Sequence, residues 1–388
     1  MIISVISEFN PFHKGHKFLL ENIKQQFPDS ATVAIMSGNF VQRGDVAIIN
    51  KYDRAKMALQ NGFDLVVELP VPYAVSSAEI FANAGVKIAD GLNSDFLAFG
   101  AENNLDCLNE IVDLFSDNSF EEIIKKELSF GNSYPVALSN TIAQLTNNEK
   151  YSDVLNGANN VLAIEYIKAT RKYGIEPFAV KRTSVSHDSD ITNNGFASAS
   201  AIRKMLLENN NPFNYMNENA NIDDFTNLAT INNLEKALLF QLRTMNKDDF
   251  LNLPDVSEGL ENRFFNAIKE YNSTEEILQA VKTKRYTLAR LRRILIYALL
   301  HITKDMQKSS VPYIRVLGFN EKGIEIISKA KKSAKMPIVT KVSTALNNLD
   351  EFGKSVLEKE IYSSDIWTLA QNTPTKCGMD FYKEIVKI

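Results

Sequence analysis
A chain of 388 residues with 45% hydrophobic and 23% charged side chains can bury a large core, and its length suits two domains better than one. The even composition excludes collagen-like, mucin-like and wholly disordered classes. A formal net charge of −4 argues against indiscriminate coating of nucleic acid, while leaving room for one local basic surface.

The opening "MIISVIS" lacks a basic leader and a small-residue cleavage site, so it reads as a buried first strand rather than a signal peptide. No apolar run is long enough to cross a bilayer, and no membrane partner is expected. Short apolar runs then alternate with amphipathic segments: a helix over 14–26, "ATVAIMS", a helix over 51–61, "DLVVELP", a helix over 76–90, "FLAFG" and a helix over 104–115. "EPFAVKR" at 176–182 supplies a fifth strand, and "SASAIRKMLLEN" at 198–209 a helix with a serine cap. Such alternation predicts an α/β fold with a parallel sheet covered by helices. Residues 209–224, rich in asparagine and acids, read as a linker. Beyond it, amphipathic segments predict a mainly α-helical domain over 225–388, with a small strand, helix and strand appended between "VPYIRVLGF" and "MPIVTKV". The expected division is 1–208, 209–224 and 225–388. Cys107 and Cys377 lie outside any CxxC pattern, so neither a disulfide framework nor a zinc cluster is encoded, and reduced cytosol fits.

In open parallel sheets ligands bind beyond the carboxyl ends of the strands, and "EFNPFHKGHKFLL" stands where the first strand gives way to a helix. Helix N-termini present unpaired N–H groups and a positive dipole end, and Gly15 has no Cβ to keep phosphate oxygens off the backbone. His13 and His16, three apart, share one face of the first turn, so both imidazoles can donate to one phosphate chain. Donors of this kind matter most when charge builds on non-bridging oxygens during displacement at phosphorus. A pair of surface or capping histidines without a ligand is the plain alternative. A metal pair is less attractive, because His187 and His301 are remote in sequence.

HxGH at a first strand end is the signature of the nucleotidyltransferase superfamily related to class I aminoacyl-tRNA synthetases. "SEFNPFHKGH", followed in order by "MSGNFVQRGDVAIINKYDRAKMAL", "DLVVELP", "FGAE", "SASAIR", "KTKRYTLARLRRILIYALL" and "YIRVLGF", resembles the tRNA(Met) cytidine acetate ligase family over nearly the whole chain. The resemblance implies a Rossmann-like nucleotidyltransferase domain with His13 and His16 as catalytic residues. It implies that Ser7, Glu8, Phe9, Asn10, Pro11, Phe12, His13, Lys14, Gly15, His16, Lys17, Phe18, Leu19 and Leu20 wrap ATP. Gly100, Asn160 and Arg182 would complete the nucleotide site, with Ser198, Ser200 and Arg203 on the phosphates. Taken alone, Gly100 reads equally as a turn glycine, Asn160 and the serines as helix caps, and Arg182 as a surface residue. Lys14, Ala158 and the alanine of "FGAE" depart from the family pattern without removing a phosphate donor.

Gln42 and Arg43 follow the second strand, while Lys51, Asp53 and Arg54 open the next helix. All five are candidates for contact with the acyl substrate or the RNA end, or simply for a solvated loop and helix start. Around "KTKRYTLARLRRILIYALL", Lys282, Lys284, Arg285, Arg290, Arg292 and Arg293 read as a basic ridge opposite an apolar face, suited to RNA phosphates. The activity implied is ATP-dependent activation of acetate and acetylation of the wobble cytidine of elongator tRNA(Met). Magnesium is expected to accompany ATP, with no resident metal, no acetyl-CoA, no obligate protein partner and a cytoplasmic location. The rivals are an adenylyltransferase of a small phosphorylated metabolite and a non-catalytic tRNA-binding protein. Aminoacylation is disfavoured, since "KRTSV" is a poor substitute for a KMSKS-like loop.

Overall fold
The computed structural model describes residues 1–388 except 147–150, 152, 153, 156, 183–194, 218, 219, 221, 258 and 334. His187 and most of "KRTSV" therefore lie outside the described residues. Strands β1 (Ile2–Ser7), β2 (Ala31–Ser37), β5 (Leu65–Leu69), β6 (Phe96–Ala101) and β7 (Glu176–Lys181) run parallel, as the alternating pattern predicts. A short hairpin, β3 (Phe40–Val41) with β4 (Asp45–Val46), projects from the end of β2.

The strand, helix and strand expected as an appendix of the helical region instead belong to the main sheet. β8 (Ile314–Phe319) pairs antiparallel with β5, and β9 (Ile338–Val339) and β10 (Val386–Lys387) pair with β8, giving the order β10-β8-β5-β2-β1-β6-β7 with β9 on a branch. The reason is burial on both faces. Ile314, Val316 and Leu317 are apolar and almost fully covered, which a strand attached at the surface could not achieve.

Successive strand residues serve two cores, as the pleat requires. Ile3, Val5, Ala34, Met36 and Val66 face one side, where helices α1 (Lys14–Gln26) and α2 (Lys51–Gln60) pack. Ile2, Ile6, Val33, Ile35, Leu65 and Val67 face the other, beneath the helices Ala78–Gly91, Ala158–Arg171 and Glu321–Ser333. The helical region expected after the linker is present as Glu235–Thr244, Leu260–Glu270, Thr274–Val281 and Leu288–Leu300, yet its apolar side chains join the same core as α1 and α2. Within the presumed linker Met216 is 1% exposed, while 209–211 are exposed. The long helix Glu351–Thr368 returns to the hairpin, where Trp367 Nε1 donates to the Ala47 carbonyl at 2.7 Å.

Candidate active site
β1 ends in a backbone conformation that few side chains adopt: Phe9 has φ +44° and Asn10–Pro11 is cis. A left-handed phenylalanine persists only where its surroundings hold it. Arg54 does much of this. Its guanidinium is fully buried and donates to the Glu8 carbonyl at 2.6 Å, the Ser37 carbonyl at 3.1 Å, the Ile49 carbonyl at 3.2 Å and the Gly38 carbonyl. It thereby ties the carboxyl ends of β1 and β2 together. Burial lowers Arg54 to about 10, opposed by the Glu8 carboxylate, so the group remains a cation at neutral pH. The Phe9 ring packs on Phe12 and Phe63 at 4.8 and 5.4 Å.

The two histidines cap α1 reciprocally. His13 is the N-cap, and its Nδ1 accepts from the Gly15 N–H at 3.0 Å; His16 Nδ1 accepts from the His13 N–H at 3.3 Å. A neutral imidazole whose Nδ1 accepts carries its proton on Nε2, so the backbone assigns both rings as Nε2–H donors. The rings lie 3.9 Å apart, and Phe9 and Phe12 flank His16 at 4.8 and 5.3 Å. Capping, one of the two readings set against each other in the sequence, is thus present in the structure, and it leaves both side chains at the carboxyl end of β1. Gly15 also has a structural reason: a Cβ there would fall 2.8 Å from His13 Cε1, within the space of the histidine ring.

Other expected nucleotide residues converge on this edge. Arg203 Nη1 donates to the Asn10 carbonyl at 2.8 Å, which brings the "SASAIR" helix to the β1 loop. Ser198 caps that helix by accepting from the Ala201 N–H, and its hydroxyl lies 3.1 Å from that of Ser200. Arg182 crosses Gly100, where a Cβ would stand 3.2 Å from its Cγ. Burial holds this guanidinium below the usual arginine range, opposed by Glu102. Asn160 is 1% exposed; it accepts from the Glu102 and Asn103 N–H groups and donates to Asn103 Oδ1 and the Val154 carbonyl. It shapes the loop after β6, and Gly157 takes the capping position. Within the first run, Asn10 Oδ1 accepts from Ile48 N–H, Lys17 Nζ binds the Asn61 carbonyl, and Leu20 is core. These three anchor the loop and α1. Lys14 is exposed beside them.

A family description, HIGH Nucleotidyl Transferase, matches residues 1–380. The chain belongs to the HIGH nucleotidyltransferase family. It is 39% identical over 407 aligned residues, covering all of both chains, to a Thermoanaerobacter protein named tRNA(Met) cytidine acetate ligase. A Clostridium perfringens protein of the same name is 35% identical, with 98% of each chain covered. Its fold matches the crystal structure of apo Thermotoga maritima TmcAL with a TM-score of 0.93 and that of the same protein bound with alpha-thio ATP with 0.90. Both comparisons are at 29% identity and cover 100% of this chain and 99% of the other.

The loop after β2 in this nucleotidyltransferase is arranged differently from the sequence expectation. Gln42 N–H donates to Glu8 Oε1 at 2.9 Å and its side chain to the Ser76 carbonyl, so Gln42 braces the nucleotide loop; Arg43 is half-buried near it in sequence. Asp53 accepts from Asn50 and lies 3.9 Å from Lys383. Lys51 and Arg54, proposed as substrate contacts, are buried completely. Lys51 Nζ lies 2.8 Å from Glu68, 3.1 Å from Glu360 and 2.9 Å from Asp380, while Arg315 pairs with Glu68 at 3.0 Å and Asp380 at 2.7 Å. Burial, followed by the charge of Glu68, pushes Glu360 up to about 8, so its carboxyl keeps its proton to a higher pH than an ordinary glutamate. The sequence did carry a signal for this cluster. Glu68 in "LVVEL" and Arg315 in "IRVLGF" are charges inside apolar strands, and such charges need partners.

The basic ridge is also divided. The helix starts at Leu288 under the Thr287 cap, so Lys282, Lys284 and Arg285 precede it. Arg293 is 8% exposed and its Nη2 is ion-paired to Asp255 at 2.7 Å, and Arg290 donates to the Asp255 carbonyl. Lys282, Lys284 and Arg292 remain exposed and Arg285 half-exposed. Among the described residues no three His, Cys, Asp or Glu side chains are grouped to hold a metal ion, and no helix is long and apolar enough to cross a membrane. Two cavities, about 390 and 550 Å³, are lined outside the Ser7–Leu20 run.

Proposed function
We propose that this protein activates acetate with ATP and acetylates the wobble cytidine of elongator tRNA(Met), in the cytoplasm. The observation that carries the reading is the paired-imidazole cap at the end of β1, with both Nδ1 atoms engaged by backbone N–H groups. Full-length likeness to proteins named for this reaction, and to a neighbour bound with an ATP analogue, supports it.

Acetate oxygen attacks the α-phosphorus of ATP, the bond to the β-phosphate bridging oxygen breaks, and pyrophosphate leaves with the electron pair. His13 and His16 donate Nε2–H bonds to phosphate oxygens as charge accumulates there, already oriented by the capping bonds. Arg182, Ser198, Ser200 and Arg203 hold the phosphates, and Gly100 gives Arg182 its path across the sheet end. The exocyclic amine of cytidine then attacks the acetyl carbonyl of acetyl-adenylate. AMP is expelled, a proton is lost, and N4-acetylcytidine remains. Magnesium bound to ATP would neutralise part of the phosphate charge; among the described residues no three His, Cys, Asp or Glu side chains are grouped to hold a metal ion, and no step rests on it. Acetyl-CoA has no part in this scheme.

The test is incubation with ATP, labelled acetate and tRNA(Met), beside a tRNA whose wobble cytidine is replaced. Label in N4-acetylcytidine of the first RNA only, with AMP and pyrophosphate released, is the expected result. A stable adenylylated metabolite would favour the adenylyltransferase reading, and absence of ATP turnover the non-catalytic one.

A further inference from the structure
The turn between the helices Phe120–Ser129 and Tyr134–Thr146 leaves apolar side chains uncovered: Phe130 is 67% exposed, and Leu128, Tyr134 and Val136 are exposed around it. Contiguous exposed apolar side chains mark interaction sites. The turn is firmly built. Gly131 has φ +81°, and beneath it the Glu127 carboxylate, 7% exposed, accepts from Asn132 at 3.1 Å, Asn140 at 2.7 Å and Gln144 at 2.9 Å. The Glu127 carboxylate is thus turned inward and engaged by amide donors.

A cation from a distant part of the chain reaches the same turn. A Cβ built on Gly131 would lie 4.0 Å from Arg285 Nη2, and Arg285 follows the exposed Lys282 and Lys284. An exposed aromatic ring on a turn that a guanidinium reaches is an arrangement suited to unpaired nucleotides, because every base offers a π face and every nucleotide a phosphate. We infer that Phe130 is a stacking platform for an unpaired base of the RNA substrate, with Arg285, Lys282 and Lys284 meeting the adjoining phosphates. The inference rests on the RNA acylation proposed above. A protein surface or a second copy of this chain would cover the apolar turn equally well, but the cations favour a polyanion.

The full-length protein is titrated with a tRNA(Met) transcript over a range of salt concentrations. Phe130→Ala is expected to weaken binding by about tenfold, Phe130→Trp to restore it, and Arg285→Ala to reduce the salt slope by about 0.7. Acetate-dependent ATP–pyrophosphate exchange without RNA should be unchanged in both Phe130 variants. Wild-type protein that binds the transcript no better than Phe130→Ala overturns the platform and leaves the RNA reading standing. Wild-type protein with no affinity for the transcript overturns both. Loss of exchange in Phe130→Ala would assign the ring to folding, and a change in sedimentation would assign the turn to self-association; either result overturns the inference.

Discussion
Two regions at the carboxyl edge of the sheet are built by opposite means. The helix start His13–His16 obtains its caps from residues two or three positions away, with His13, Gly15 and His16 bonded to one another. Lys51, Glu68, Arg315, Glu360 and Asp380 come instead from α2, β5, β8, the helix Glu351–Thr368 and the last turn of helix. The regions communicate through Gly38, whose carbonyl accepts from Arg54 and whose Cβ, were it present, would lie 2.6 Å from Glu360 Oε1 and 2.7 Å from Glu68 Oε1. Local bonds orient the histidine rings, while long-range ion pairs join the segments behind them.

That contrast can be broken at four points. Lys51→Met strips the ammonium from buried carboxylates, and unfolding titrations should show a loss of about 3–5 kcal/mol. An unchanged midpoint would mean that the cluster is not what joins the C-terminal segment to the sheet. His16→Ala should act on the other region: acetate-dependent ATP–pyrophosphate exchange should fall by about 10²–10³-fold, as for loss of one transition-state donor. Stability in that variant should drop by only about 0.5–2 kcal/mol, the usual worth of a cap. Comparable exchange in wild type and variant would remove His16 from the reaction.

Gly44→Ala sharpens the link between hairpin and helical region. Gly44 has φ +75°, and a Cβ there would meet Arg293 N at 2.5 Å and Arg292 C at 2.6 Å. A destabilisation of about 1–3 kcal/mol in thermal unfolding is expected from the strained backbone alone, and a neutral result would mean that the hairpin tip moves freely from Leu288–Leu300. The smallest change is Glu360→Gln. Because burial and then Glu68 raise the folded carboxyl from 4.5 to about 8, the folded state binds the extra proton, and stability declines as pH rises through that window. The amide variant should flatten this limb in pH-dependent unfolding; an identical slope in both proteins would show that another group sets it.

Much of the sheet was legible because each parallel strand is a short apolar run between amphipathic segments, and α1 was legible because HxGH and the spacing after it mark a helix start. Lys51 and Arg54 were misread for a physical reason: a cation at a helix start looks solvated in one dimension, and only distant carboxylates and carbonyls make its burial tolerable. Part of the ridge was misplaced likewise, since Asp255 draws Arg293 inward from another loop, while Lys282, Lys284 and Arg292 stay exposed.

The amino-acid order by itself determined the parallel strands, the helix start at the histidine pair and the likeness to a nucleotidyltransferase family, since each is carried by short local patterns, repeated in order along the chain. Tertiary structure decided that the C-terminal strands complete the sheet, which charges are buried, and which basic residues remain outside. Those outcomes depend on desolvation and pairing between segments far apart in the chain, and local spacing carries no record of either.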